Sequence, residues 1–183
     1  MFFIFPKDQE GFSMIEIVTS VAVIGIMAGV FLVNYGSNQK SSELILTAQK
    51  MVSDIRIAQN NSLAFLDIEE GASGWGFYAS SSSNSYHIFI DQDGDYLYDM
   101  DEAISPHQII NLPSDVVIQD MQVLESGIWN SVSELNIIFQ PPDPLTFING
   151  VDTNSTRIMI GRDGGTNFET IEVNFFGLID VID

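Results

Sequence analysis

The chain has no cysteine, two histidines and six basic residues, and these shortages exclude several kinds of chemistry. Without cysteine there is no disulfide, no thiol nucleophile and no thiolate ligand for zinc. His87 and His107 have no serine nucleophile motif of the Gly-Xaa-Ser-Xaa-Gly type near them, and no glycine-rich phosphate loop is present. The sequence therefore predicts that the protein is not an enzyme.

Acidic residues outnumber basic residues by 25 to 6, which leaves a formal net charge of −19. A surface this acidic repels phosphate backbones, so nucleic-acid binding is not expected. The same charge favours solubility and attracts divalent cations. With 183 residues, of which 45% are hydrophobic, the chain is long enough for an N-terminal anchor and one domain with a real core.

A long apolar run near the N-terminus has no charged residue from Ile17 to Val33, and Glu16 stands immediately before it. A helix from Phe12 to Val33 would be roughly 33 Å long at about 1.5 Å per residue, which is enough to cross a hydrocarbon core of about 30 Å. Gly25 and Gly29 would lie on one face of this helix, where small residues let a second helix approach closely.

The stretch Gly11-Phe12-Ser13-Met14-Ile15-Glu16, with the apolar run directly after it, resembles the class III signal of type IV pilins and type II secretion pseudopilins. The resemblance implies that a prepilin peptidase cleaves after Gly11 and that the new N-terminal residue, Phe12, is methylated. It also implies that Glu16 neutralises the amine of mature Phe12, in the same or a neighbouring subunit, during filament assembly. Residues 1–11 would be the leader, which departs from the family pattern because Lys7 is its only basic residue.

Other interpretations of the same residues stay open. Ser13 and Glu16 have the spacing of a helix capping box, and a carboxylate in the first turn also interacts favourably with the helix dipole. The run would then be a plain membrane anchor. A secretory signal peptide would need a shorter apolar core and a small-residue cleavage site, which Ala28-Gly29-Val30 matches poorly.

The rest of the chain predicts an α+β fold. Apolar residues recur at helical spacing from Leu44 through Ala48, Met51 and Ile55 to Ala58, so residues 36–66 should continue the membrane-spanning helix of residues 12–35 as an amphipathic segment. Residues 67–183 should form a mainly antiparallel β head of about eight short strands on which the helix packs. The first predicted strand is Trp75–Ala79, the last is Leu178–Ile182, and a short one at Val116–Ile118 follows a Pro-Ser-Asp turn.

The C-terminal part of the chain carries a second, looser resemblance. Its elements are Phe139-x-Pro141, the segment Arg157-Ile-Met-Ile160, and Ile171-x-Val173-x-x-x-Gly177-x-Ile179. These residues are similar to the C-terminal half of minor pseudopilins of the GspH/FimT type. The resemblance implies the same pilin-like layout as the N-terminal motif.

An acidic segment follows the second predicted strand and is the one candidate metal site. Asp91, Asp93, Asp95, Asp99 and Glu102 occupy places 1, 3, 5, 9 and 12 of an EF-hand-like loop. Place 6, which should be glycine, is Tyr96, and a strand rather than a helix precedes the loop. We therefore predict a calcium-binding loop between strands, while a solvated acidic turn is the open alternative. No cofactor is required, and Ca²⁺ is the only one suggested.

The resemblance thus implies a structural subunit of a type IV pilus or a type II secretion pseudopilus, of the minor kind. Its partners would be a prepilin peptidase, the membrane, and other pilin or pseudopilin subunits that pack through the N-terminal helix. It would be a single-pass inner-membrane protein with an extracytoplasmic head, and part of a filament after assembly. The alternatives are a membrane-anchored extracytoplasmic β domain that binds Ca²⁺ or a ligand, and a secreted hydrolase, which the lack of a nucleophile–base pair disfavours.

Overall fold

The computed structural model describes residues 11–68, 71–102, 108–142, 145–152 and 154–182, with no side chain described from 32 to 41. Most of the predicted leader and His107 lie outside these residues. The chain divides into two compact units, Met1–Ser41 and Ser42–Asp183, which we call the N-terminal unit and the C-terminal unit. The fold is α+β, as predicted, with one long helix and two antiparallel sheets.

Helix α1 runs from Met14 to Leu63 and has residues in both units. It begins two residues later than predicted, because Ser13 accepts the first helical bond, from the backbone N–H of Ile17 at 3.2 Å. It ends in a Schellman motif, in which the N–H of Leu66 bonds to the carbonyl of Asn61 at 3.0 Å. Phe65 occupies the position usually held by glycine, with a φ of 53°.

The apolar part of α1 in the N-terminal unit is Met14–Phe31, which has a mean hydropathy of 2.2 and no buried residue. Its side chains are exposed all round the helix, from Ile17 at 54% to Met14 at 84%. A helix that is apolar on every side needs an apolar environment outside its own fold. The segment is long and apolar enough to span a membrane, as the sequence predicted.

The described residues of the C-terminal unit form ten strands, not the predicted eight or so, in two five-stranded sheets. The first sheet has the order β3-β2-β1-β6-β7 and the second has the order β10-β9-β8-β4-β5. The strands are β1 (Gly74–Ser80), β2 (Ser85–Asp91), β3 (Gln108–Asn111), β4 (Val116–Glu125), β5 (Ile128–Ser131), β6 (Glu134–Gln140), β7 (Leu145–Ile148), β8 (Ser155–Arg162), β9 (Phe168–Val173) and β10 (Ile179–Ile182).

The predicted helical stripe is confirmed, since Leu44, Ala48, Met51, Ile55 and Ala58 are all buried. These side chains belong to one apolar core with alternate residues of both sheets. Hydrogen bonds between α1 and the strands and turns of the C-terminal unit lie around this core. They join Tyr86 Oη to Asp54, Arg56 to the carbonyl of Ile179, Gln59 to the carbonyl of Gly177, Ser62 Oγ to the carbonyl of Phe139, and Arg162 to Glu43.

The strand missed from the sequence is β5, together with the second half of β4. The prediction ended this strand at Ile118, before the polar pair Gln119-Asp120. A bulge between Ile118 and Asp120 shifts the register instead, so that the following apolar residues return to the core face. Ser126 and Gly127, with φ angles of 52° and 83°, then form the two-residue turn into β5.

Candidate functional site

The predicted cleavage motif lies immediately before α1. Gly11, Phe12 and Ser13 are outside the helix and exposed, and the Phe12 side chain is 80% accessible. Apart from Gly11 and its two chain neighbours, no residue of the described chain has an atom within 4 Å of where a Cβ on Gly11 would be. The Gly11–Phe12 peptide bond is therefore accessible in non-helical chain, as a protease substrate must be.

Glu16 lies in the first turn of α1. The capping interpretation explains a hydrogen bond made by its backbone N–H but not the presence of its side-chain carboxylate. Its N–H donates to Ser13 Oγ at 3.3 Å, which is one half of a capping box. The other half would be a bond from the Ser13 N–H to the Glu16 carboxylate, and it is not found among the described residues. Glu16 thus presents an exposed carboxylate at the start of the apolar run.

The acidic segment after β2 is organised from its first residue, Asp91, which is fully buried. Asp91 Oδ1 accepts the backbone N–H of Gly94 at 2.8 Å, and Oδ2 accepts that of Tyr96 at 2.9 Å. The same Oδ2 accepts a hydrogen bond from Ser73 Oγ. Asp91 is therefore a structural centre that folds the loop back onto itself.

Glu102 holds the other end of the segment, in the short 3-10 turn η1 (Met100–Glu102). Its side chain is only 4% exposed. Glu102 Oε1 accepts the N–H of Gln92 at 2.6 Å, and Oε2 accepts the N–H of Asp99 at 3.1 Å. The two buried carboxylates at places 1 and 12 thus close the loop by accepting backbone N–H groups.

Tyrosines fix the same segment to the outer face of the first sheet, the face away from the shared core. The ring of Tyr96 stacks on Phe147 with 4.0 Å between centroids, and Tyr98 stacks on Tyr78 at 4.6 Å. Phe89 is fully buried beneath Tyr98, with 5.0 Å between the ring centroids. Sequence reasoning missed this role, although the tyrosines alternate within the loop in the way that residues covering one sheet face do.

Three of the five predicted metal ligands come together. The carboxylates of Asp91, Asp93 and Asp95 each have an oxygen within 4.8 Å of the others. Asp99 and Glu102 are not in this group. Tyr96, at the place where an EF-hand has glycine, has a φ of 66° and so adopts the left-handed conformation that this place requires. The arrangement offers a small oxygen cluster of the kind that hard cations bind.

Burial changes the acidity of the two carboxylates that close the loop. It raises the pKa of Asp91, against the lowering effect of its bonds from Ser73, Gly94 and Tyr96. It also raises the pKa of Glu102 to about 7, against the lowering effect of the N–H donors of Asp99 and Gln92. A cation near Asp91, Asp93 and Asp95 would favour the charged forms again.

The raised pKa of Glu102 predicts that stability falls as the pH rises. The folded chain holds this proton more tightly than the unfolded chain, whose carboxyl has a pKa of 4.5. The stabilising contribution is therefore complete below about pH 4.5 and lost as the pH passes about 7, with an upper limit of about 3 kcal/mol. Urea unfolding from pH 5 to 8 should show a shallower pH dependence for Glu102→Gln than for the unmodified chain. Equal slopes for the two chains would contradict the prediction.

Of the two histidines, His87 lies on β2. Its ring is 5.5 Å from that of Tyr78 and 5.0 Å from that of Tyr98, within the aromatic group that holds the acidic segment. The imidazole of His87 therefore packs against these aromatic rings, as the other rings of the group do.

The N-terminal motif and the acidic segment are thus the two candidate sites of the chain. The first is an exposed peptide bond and carboxylate at the start of an apolar helix, and the second is a carboxylate cluster on a rigid loop. No protein-family model, curated protein or solved structure matches the chain.

Proposed function

We propose that the protein is a pilin-like structural subunit of a type IV pilus or a type II secretion pseudopilus. The observation that carries the proposal is the segment Met14–Phe31, an uncharged helical run except for Glu16, with no residue buried. The same helix continues into the core of a β domain. The apolar helix of such a chain can span a membrane before assembly, and the same helix can pack against the corresponding helices of other subunits in a filament.

Glu16 supports the assembly role over a plain anchor. A carboxylate in a membrane-spanning helix is costly, by about 2.5–3.5 kcal/mol at the bilayer centre and less near the interface. Among the described residues, the Glu16 carboxylate accepts no capping hydrogen bond from Ser13. Helix capping therefore does not explain why a carboxylate is found at this position. Pairing with the amine of a processed Phe12, in the same or a neighbouring subunit, gives such a reason.

In this proposal the chain enters the inner membrane through residues 12–35 with the β domain on the extracytoplasmic side. A prepilin peptidase hydrolyses the Gly11–Phe12 bond, and the amine of Phe12 then receives one methyl group. Apart from their chain neighbours and the backbone of their own helix, Gly25 and Gly29 have no atom of the described chain within 4 Å of where a Cβ would be, so a second helix can approach them closely. The protein acts by assembly and not by catalysis.

The proposal is tested by the intact mass and N-terminal sequence of the full chain, isolated from membranes after co-expression with a prepilin peptidase. The expected chain begins at Phe12 and carries one added methyl group. The matched control is Gly11→Val, which should keep the leader because the branched side chain blocks the peptidase at the cleaved bond. A chain that retains residues 1–11 beside an active peptidase would overturn the proposal.

The second candidate function is a membrane-anchored extracytoplasmic β domain that binds Ca²⁺. It is favoured by one observation, the grouping of Asp91, Asp93 and Asp95 within 4.8 Å. In this alternative, residues 1–11 stay on the chain and no filament forms.

Calcium binding would raise the thermal stability of the full chain in detergent. With a dissociation constant of about 1 mM, as in weak extracellular sites, 10 mM Ca²⁺ should add about 1.4 kcal/mol. The matched control is Asp93→Asn, which removes an exposed ligand and should abolish the Ca²⁺ effect while leaving the metal-free melting temperature unchanged. NaCl at equal ionic strength separates screening from binding. Equal shifts with NaCl and CaCl₂ would contradict a calcium site.

A further inference from the structure

The turn between β9 and β10, residues Asn174–Leu178, exposes three large apolar side chains. Phe176 is 70% exposed, Leu178 is 65% exposed and Phe175 is 37% exposed. The two phenylalanine rings lie together, with 4.0 Å between their centroids. An aromatic pair of this kind, presented at a surface, is typical of the residues that dominate binding energy at protein interfaces.

The turn is held in one conformation by its own polar groups. Asn174 Oδ1 accepts the backbone N–H groups of Phe176 and Leu178, both at 3.0 Å. The Asn174 carbonyl also accepts the N–H of Gly177 at 2.8 Å, and Gln59 Nε2 on α1 donates to the Gly177 carbonyl at 2.8 Å. The exposed side chains therefore stand on an ordered backbone, so little conformational entropy is lost when a partner binds them.

Gly177 allows the backbone of this turn to pack closely against the rest of the C-terminal unit. Its φ is 74°, and a Cβ there would lie 2.5 Å from Gln59 Nε2 and 3.1 Å from Thr146 Oγ1. The backbone of the turn thus packs directly against α1 and β7. It presents Phe176 and Leu178 outward from a position that both elements fix.

The charge of the C-terminal unit indicates which partner can approach this turn. Two of the six basic residues and three of the 25 acidic residues lie in residues 1–41, so the C-terminal unit has four basic and 22 acidic residues and a formal net charge of −18. The four basic side chains already have partners. They are Lys50 on Asp54, Arg56 on the carbonyl of Ile179, Arg157 on Glu172, and Arg162 on Glu43.

A second copy of the chain would therefore bring an equally anionic surface with its basic groups already engaged. Like-charged surfaces repel at the short separations of an interface, within a Debye length of about 8 Å at physiological salt. An anionic membrane surface would be repelled in the same way. A protein surface with an excess of Lys and Arg is attracted instead.

We propose that the Asn174–Leu178 turn docks into an apolar pocket on a neighbouring, non-identical subunit whose extracytoplasmic domain has a net positive charge. The inference rests on the proposed function, because it names a partner of the chain within the filament. Phe176 and Leu178 supply the apolar anchor, and the charge of the whole C-terminal unit selects the partner.

The inference is tested with a photo-crosslinking amino acid in place of Phe176, in the full chain and in the cells that make the filament. The crosslinked peptide is sequenced by mass spectrometry. The matched control carries the crosslinker at Ile128 on β5, which is apolar and 65% exposed but lies at the opposite edge of the second sheet from β10. The expected product links position 176 to a different chain with a net positive extracytoplasmic domain, and the Ile128 variant does not form it. A link between two copies of this chain, a link to lipid, or no link at all overturns the inference.

A substitution series gives a second readout. Phe176→Ser should leave the melting temperature unchanged, because the side chain is largely exposed, and should lower recovery of the identified partner with the filament at least tenfold. Ile128→Ser should change neither. Unchanged partner recovery with Phe176→Ser overturns the inference. Retention of residues 1–11 would instead contradict the proposed function. A chain that begins at methylated Phe12 but forms no crosslink to a different protein would contradict the docking inference and leave the proposed function in place.

Discussion

Replacing Asp91 by alanine is expected to lower the free energy of unfolding by about 3 kcal/mol. The change removes the acceptor of three donors, Ser73 Oγ and the N–H groups of Gly94 and Tyr96. A buried donor left without a partner costs about 1–3 kcal/mol. Part of this cost is offset, because the change also removes a carboxylate whose pKa is raised by burial. Urea unfolding at pH 7 measures the difference.

Asp93→Ala is the matched control for Asp91→Ala. Asp93 is exposed and accepts only the N–H of Asp95, at 3.2 Å, so its loss should change stability by no more than about 0.5 kcal/mol. The pair separates the two roles of the segment, since Asp91 would serve structure and Asp93 would serve a cation. Equal destabilisation by the two variants would show that Asp91 is not the centre of the loop.

Replacing Glu16 by alanine is expected to leave cleavage after Gly11 intact and to lower incorporation into filaments at least tenfold. The amine of processed Phe12 would then enter an apolar helix bundle without a counter-charge. A tenfold loss corresponds to about 1.4 kcal/mol, which is modest beside the cost of an unpaired charge in a bilayer. The measurement compares the fraction of the chain in sheared filaments with that in membranes, after mass spectrometry has confirmed the Phe12 N-terminus.

Two variants of the same helical turn serve as controls for Glu16→Ala. Glu16→Asp keeps the carboxylate and should restore most of the incorporation. Thr19→Ala removes a hydroxyl that donates to the Glu16 carbonyl at 3.0 Å and should have no effect, because the charge is unchanged. Normal incorporation of Glu16→Ala would remove the assembly role of this carboxylate and favour a plain membrane anchor.

The helix and most strands could be predicted because their evidence is local. The spacing of Leu44, Ala48 and Met51 identifies a buried helical face without knowledge of what covers it. Strand β5 and the second half of β4 were missed because the bulge after Ile118 breaks the alternation on which strand prediction depends. The end of β9 at Val173 depends on the side-chain bonds of Asn174 and on the contact with Gln59, which is distant in the sequence.

Residue order and composition were enough to predict the uncharged helical run, the motif at Gly11, Phe12 and Glu16, the acidic surface, and the α+β class. These features depend on residue order over short distances and on composition, and neither needs the fold. Only the tertiary structure separated the acidic loop into two structural carboxylates, Asp91 and Glu102, and the exposed Asp93 and Asp95. Burial decided this division, and it depends on the docked position of the loop, whose Tyr98 and Tyr96 stack on Tyr78 and Phe147, residues far from each other in the sequence.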